Sequence, residues 1–132
     1  LEMEVEVPNF AKVASGELAL RVPFLGSLSQ LVALKERESP LYVNERATNH
    51  VRLMLRVKLP PGARVITPLD PVIIEDDSLE VEVRDRLEGD VLVIEREGNL
   101  PSGRVQPDDY AAFAELVRRG DQALNRVIRI GL

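Results

Sequence analysis

Asn49-His50-Val51-Arg52-Leu53-Met54-Leu55-Arg56-Val57-Lys58-Leu59-Pro60-Pro61-Gly62 is the stretch on which the reading of this chain turns. With a period of two, Val51, Leu53, Leu55, Val57 and Leu59 fall on one side. His50, Arg52, Met54, Arg56 and Lys58 fall on the other. Successive side chains of a strand point to opposite faces, so the stretch predicts a strand with one apolar and one basic face. Pro60-Pro61-Gly62 ends it, because proline lacks the N–H a ladder needs and glycine permits a turn. The rest of the chain must supply the second layer of a core.

The 132 residues fit one domain with a core large enough to need no staples. With no cysteine, disulfide frameworks, thiolate metal sites and a cysteine nucleophile are excluded. Tryptophan is absent and Phe and Tyr are few, so Val, Leu and Ile must build the interior. No apolar run approaches the roughly 20 residues that span a bilayer, and no membrane insertion is expected. The opening residues alternate Glu with apolar side chains and lack the basic start of a signal peptide. The chain begins with Leu1, which suggests a piece of a larger protein. Net charge is −5, with the excess of acids in the second half, and no basic block occurs. That balance disfavours a partner held by its phosphates, and no nucleic acid is expected.

Around the opening stretch, other short strands can be placed. Glu2-Met3-Glu4-Val5-Glu6-Val7 alternates and ends at Pro8. Glu17 to Phe24 carries Leu18, Leu20 and Val22 on one face. Residues 25–34 read equally as a helical face or a buried strand. Leu41-Tyr42-Val43 is a short strand, and the polar 44–49 joins it to 50–59 as an expected hairpin. Arg64-Val65-Ile66-Thr67 and Val72-Ile73-Ile74 are punctuated by prolines. Leu79, Val81 and Val83 alternate with Glu80, Glu82 and Arg84, and the chain turns near Glu88-Gly89-Asp90 into Val91-Leu92-Val93-Ile94. Gly98, Pro101 and Gly103 are expected to end the β region. Pro107 then suits a first helical position, with Asp108 and Asp109 at the positive end. Tyr110, Phe113, Leu116 and Val117 share a face, and Ala123, Leu124, Val127 and Ile128 extend it, so a terminal helix is expected over 107–130. Gly120 either breaks it or sits inside it at a cost of about 1 kcal/mol relative to Ala. Many short strands followed by one helix predict a mainly β fold, an antiparallel β-sandwich with a C-terminal α-helix, as a single domain over 1–132 with 1–40 as N-terminal strands and linker.

Five features in this order form a further pattern. They are Arg37-x-x-Pro40-Leu41, the strand running into Leu59-Pro60-Pro61-Gly62, the hairpin over 79–94, the late Gly103, and Pro107-Asp108-Asp109-Tyr110-x-x-Phe113. Together they resemble the C-terminal domain of unknown function that follows the catalytic domain in bacterial transglutaminase-like, papain-fold proteins. The resemblance implies an immunoglobulin-like sandwich and a preceding transglutaminase-like domain in the same chain. It also implies a location in the bacterial periplasm or cell envelope. Catalytic residues of such parents belong to the preceding domain, and none can be carried onto this chain.

Candidate sites follow from this. His50 reads as the wet end of a strand rather than a base or ligand. Glu36, Glu38, Asp76, Asp77, Asp108 and Asp109 fit neither a facing carboxylate pair nor a calcium loop. Asp76-Asp77 reads as a turn. Arg119-Gly120-Asp121 spells an adhesion tripeptide but lies in a helical pattern, where Gly120 would cap one turn and Asp121 start the next. Arg52, Arg56 and Lys58 are expected to pair across strands with Glu80, Glu82 or similar acids, for about 0.2–1 kcal/mol each. Arg37 would bond loop carbonyls at the entry to strand 41–43, or touch a neighbouring domain. Tyr110 and Phe113 would seam the helix to the sheet, or with Arg37 form an interdomain or partner contact. No catalytic residue, cofactor or metal site is expected. The chain reads as a non-catalytic accessory or interaction domain, with a glycan- or peptide-binding sandwich as the alternative.

Overall fold

The computed structural model describes residues 12–22, 27–43 and 50–132. The strand expected over 2–7 and the turn expected over 44–49 lie outside them. The first strands are β1 (Lys12–Ala14), β2 (Glu17–Leu20), β3 (Leu41–Val43), β4 (His50–Lys58), β5 (Arg64–Val65) and β6 (Val72–Asp76). After them come β7 (Leu79–Val83), β8 (Arg86–Glu88), β9 (Val91–Asn99), β10 (Gly103–Val105), helix α1 (Tyr110–Leu124) and β11 (Ile128–Gly131). The fold is mainly β.

β4 has the expected alternation along all nine residues. It pairs antiparallel with β9 from His50↔Asn99 to Lys58↔Val91. β7 lies on the other side of β9 and β6 outside β7, giving the order β4-β9-β7-β6, with β8 continuing the pairing along β9. The hairpin expected over 79–94 is therefore present. At the end of β4 the Ala63 N–H donates to Pro60 O at 3.1 Å. Pro61 and Gly62 (φ +81°) occupy the middle of that turn, where a positive φ at the third position favours glycine. A second sheet has the order β1-β2-β11-β5, and β3 pairs with β10 in a separate ribbon.

One face of the five-stranded sheet carries two cores. Over β4 and the first half of β9, Leu55, Val57, Leu92 and Ile94 meet Leu20, Ile128 and Ile130 of the second sheet. Over β7 and β6, Ile74, Leu79, Val81 and Val83 meet Tyr110, Phe113, Ala114, Val117 and Leu124 of α1, and Val32 of a short 3-10 helix (Leu28–Val32). Fully burying one such aliphatic side chain contributes about 1.5–3 kcal/mol.

Several local expectations differ from the structure. β3 pairs with β10, not β4, so 41–58 is no hairpin and the β region continues past Gly103. Residues 28–32 form a 3-10 helix rather than a full helical face or a strand. The terminal helix is continuous through Gly120 but stops at Leu124 rather than near 130. Gly120 faces the sheet, where an added Cβ would stand 2.8 Å from Leu79 Cδ2 and 3.1 Å from Val81 Cγ2. It is a point of close approach, not a cap. Beyond the helix, Ile128 and Ile130 alternate with Arg129 and pair with β2 and β5, because the second core needs apolar residues at strand spacing there.

Candidate functional site

The segment around Arg37 is built as a brace. Its Nε donates to Ser39 O at 3.2 Å and its Nη2 to Pro40 O at 3.3 Å, fixing the entry to β3. The guanidinium also stands 5.9 Å from the centre of the Tyr110 ring, within cation–π range. Tyr110 OH donates to Leu34 O at 2.6 Å. Tyr110 and Phe113 are 2% and 6% exposed and pack into the core beneath α1. Arg37 is half-buried at the rim of this packing.

Arg96 is a feature the sequence reading passed over. It lies on β9 in line with Leu92 and Ile94, on the apolar face, and is 0% exposed. Its Nε and Nη2 reach the two carboxylate oxygens of Asp85 at 3.2 and 2.7 Å. Its Nη1 donates to Leu124 O at 2.7 Å and Arg126 O at 3.0 Å. A bidentate guanidinium thus serves one carboxylate and, with its other arm, carbonyls at the negative end of α1. Arg126 Nη2 joins the same carboxylate at 2.8 Å, while its Nη1 reaches Asp70 O at 3.0 Å. This knot sits between the two cores and ties β9, the β7–β8 link, the end of α1 and the 66–71 loop. The signal was present in the sequence: a charge standing where the period-two pattern of β9 demands an apolar residue.

Asp121 is likewise a structural hub. It accepts hydrogen bonds from Leu28 N (2.8 Å), Ser29 Oγ (2.6 Å) and Ser27 Oγ (2.9 Å) at the start of the 3-10 helix, and from Asn125 Nδ2 (3.0 Å). Burial pushes its carboxyl pKa up, but the bonds from Ser29, Leu28 and Ser27 outweigh burial and hold it below the ordinary value. Its oxygens are engaged within the domain, and Arg119-Gly120-Asp121 forms part of α1 rather than a loop tip.

The opposite face of the five-stranded sheet is open and charged. His50, Arg52, Met54, Arg56 and Lys58 are exposed along β4, as expected. The arginines pair across strands, with glutamates other than Glu80 and Glu82, because β9 lies between β4 and β7. Arg52 stands 4.0 Å from Glu95 and Arg56 3.6 Å from Glu88. Arg86 bonds both Glu88 and Glu95 at 2.8 Å, and its guanidinium holds the Glu88 carboxyl below the usual range. His50 Nε2 is 2.7 Å from Glu97 Oε1 at the exposed start of β4. At the far corner, Glu75, Asp76, Asp77, Glu80, Glu82 and Glu97 line an open depression of about 440 Å³ with Ile73 and Ile74. Its lining contains no aromatic residue and does not include His50. Asp76 Oδ1 accepts from Ser78 N at 2.9 Å, the local bond of an Asx turn. Among the described residues, no group of three or more His, Asp or Glu is arranged to hold a metal ion. Asp108 and Asp109 lie in the 3-10 turn leading into α1 and make no side-chain capping bond there. Among the described residues no helix is long and apolar enough to cross a membrane.

Comparison with known proteins fits this architecture. No curated protein matches the chain. A solved structure that superposes on it is the crystal structure of "a putative protease" from Parabacteroides distasonis ATCC 8503, with a TM-score of 0.68 and 18% identity. The superposition covers 89% of this chain and 24% of that one, so this chain spans about a quarter of that protein's length. At that identity the likeness is one of fold. A family model, a domain of unknown function with a solved structure (DUF3858), matches residues 17–130. The chain is a member of that family of domains of unknown function.

Proposed function

We propose that this domain is a non-catalytic accessory module of a larger, transglutaminase-like protein, in which it positions the catalytic domain or binds a partner. The observation that carries the reading is one of proportion: a similar fold forms about a quarter of a longer protein named as a protease. The chemistry of the domain agrees with it. The buried charges Arg96 and Asp85 are engaged in holding the fold, and the His–carboxylate pair of His50 with Glu97 lies at an exposed strand end. We read the two packed sheets as an immunoglobulin-like sandwich and Arg37, at the rim of the α1 packing, as the residue nearest an interdomain contact. Catalysis by the parent protein with and without residues 1–132, beside the domain alone, tests this reading. The domain alone should turn over no peptide or acyl-donor substrate. The truncated parent should keep a measurable kcat while its KM or thermal stability worsens. Turnover by the isolated domain would overturn the proposal.

A further inference from the structure

The open sheet face is polarised along a diagonal. Register places Arg56, loosely paired with Glu88 at 3.6 Å, and Lys58, unpaired among the described residues, beside Val93 and Val91, at one end of β9 and one edge of the sheet. It places Glu80 and Glu82 beside Asn99 and Glu97 at the other end of β9, with Glu75 on the far edge strand and Asp76-Asp77 at its tip. Within the acidic corner the chain opposes its own charges: Glu75 faces Glu80 and Glu82 faces Glu97. Like charges directly across a ladder destabilise it; Glu82 is relieved by Arg84 and Glu97 by His50, whereas Glu75 and Glu80 have no cation beside them among the described residues. Among the described residues, Glu75, Asp77 and Glu80 have no ion pair, and neither does Lys58. Between the two corners Met54 and Ile73 stand 51% and 49% exposed on the same face.

We infer that this face docks a second copy of the chain, each copy laying Arg56 and Lys58 against the Glu75–Asp77–Glu80 corner of the other. A two-fold axis in the plane of the face, perpendicular to the line between corners, superposes each charged corner on its opposite. The contact is then isologous, with both salt-linked patches formed at once. The strands of the two copies cross at an angle between the aligned and orthogonal classes of sheet packing. Four strands about 4.8 Å apart offer an area at the small end of specific interfaces, so the dimer is weak and salt-sensitive. The inference does not rest on the accessory role: an active isolated domain would overturn that role and leave the dimer standing.

Sedimentation velocity of residues 1–132 in about 0.05 M and about 0.5 M salt, where screening lengths are roughly 14 and 4 Å, reads it directly. The chain should dimerise at low salt, and its dissociation constant should rise at least about tenfold at high salt, as expected of exposed pairs beyond the screening length. R56E/K58E and E75K/D77K should each be monomeric, and their equimolar mixture should dimerise, because the reversed corners then match. A wild-type monomer at both salts, or a mixture that stays monomeric, overturns the inference. If a reversed variant fails to fold, Lys58→Cys and Asp77→Cys chains decide instead, since the natural chain has no cysteine. Mixed under mild oxidation, they should give a disulfide-linked heterodimer at low salt, and its absence overturns the proposal.

Discussion

The two faces of the five-stranded sheet handle charge in opposite ways. On the covered face one arginine, Arg96, is sealed from water and satisfied by Asp85 and two carbonyls. On the open face the charges stand in solvent, some closely paired, some at loose distances, and some opposing charges of the same sign. A buried ion is held by geometry or it is not held, because its lost hydration has no other replacement. An exposed ion always has water, so its partner is optional and the pair contributes little. The covered face therefore specifies the fold, and the open face is free to serve contact with other molecules.

Breaking the buried knot should have the largest effect. Arg96→Met leaves the buried Asp85 with Arg126 as its single cation among the described residues and strips the end of α1 of its donor. We expect a loss of about 3–5 kcal/mol in denaturant unfolding. Arg96→Lys should recover little of it, since an ammonium cannot span both carboxylate oxygens and the carbonyls. A variant within about 1 kcal/mol of wild type would show that the knot does not hold the two cores together.

Next comes the close approach at Gly120. Gly120→Val should cost about 1–3 kcal/mol by overpacking against Leu79 and Val81, despite the better helix propensity of a non-glycine residue. Leu79→Ala in the same chain should relieve part of that cost, and strictly additive effects in the double-mutant cycle would contradict the contact.

Asp121→Ala should cost about 1 kcal/mol, the usual worth of a helix-start acceptor. The pH dependence has a definite sign. A carboxyl whose folded pKa is lowered contributes its stability fully above the unfolded pKa, about 3.9, and loses it as pH falls through the lower folded value. The difference in stability between wild type and Asp121→Asn should therefore shrink below about pH 4, and a constant difference down to pH 2 would remove the charge from the explanation.

The smallest effects belong to the open face. Arg52→Ala should change stability by less than about 0.5 kcal/mol when measured in high salt. Glu80→Lys should stabilise by a few tenths of a kcal/mol, roughly what relief of its opposition to Glu75 allows. A cost above about 1 kcal/mol for Arg52→Ala would erase the contrast between the faces.

Periodicity made some of this legible. β4 and the β7–β9 hairpin were readable because a half-buried strand alternates strictly, and α1 because its stripe recurs at helical spacing. The Arg37 brace was readable because a guanidinium beside a proline-punctuated loop has few acceptors to choose from other than that loop's carbonyls. Pairing between distant segments was not. Leu41-Tyr42-Val43 joins β10 rather than its neighbour in sequence, and Ile128 and Ile130 read as helix because an apolar pair near a helix end fits either period.

By itself, then, the sequence determined which residues alternate, where prolines and glycines interrupt them, and that the chain is mainly β with a late helix. These are local properties, set by backbone sterics and side-chain period. Only the tertiary structure decided that Arg96 and Asp85 meet between two cores, that Asp121 anchors the start of a helix 93 residues upstream, and that Gly120 lets α1 approach the sheet. Each depends on what a distant segment brings to within a few ångströms. The energy of a buried charge or a close contact is a property of that neighbourhood, not of the residue alone.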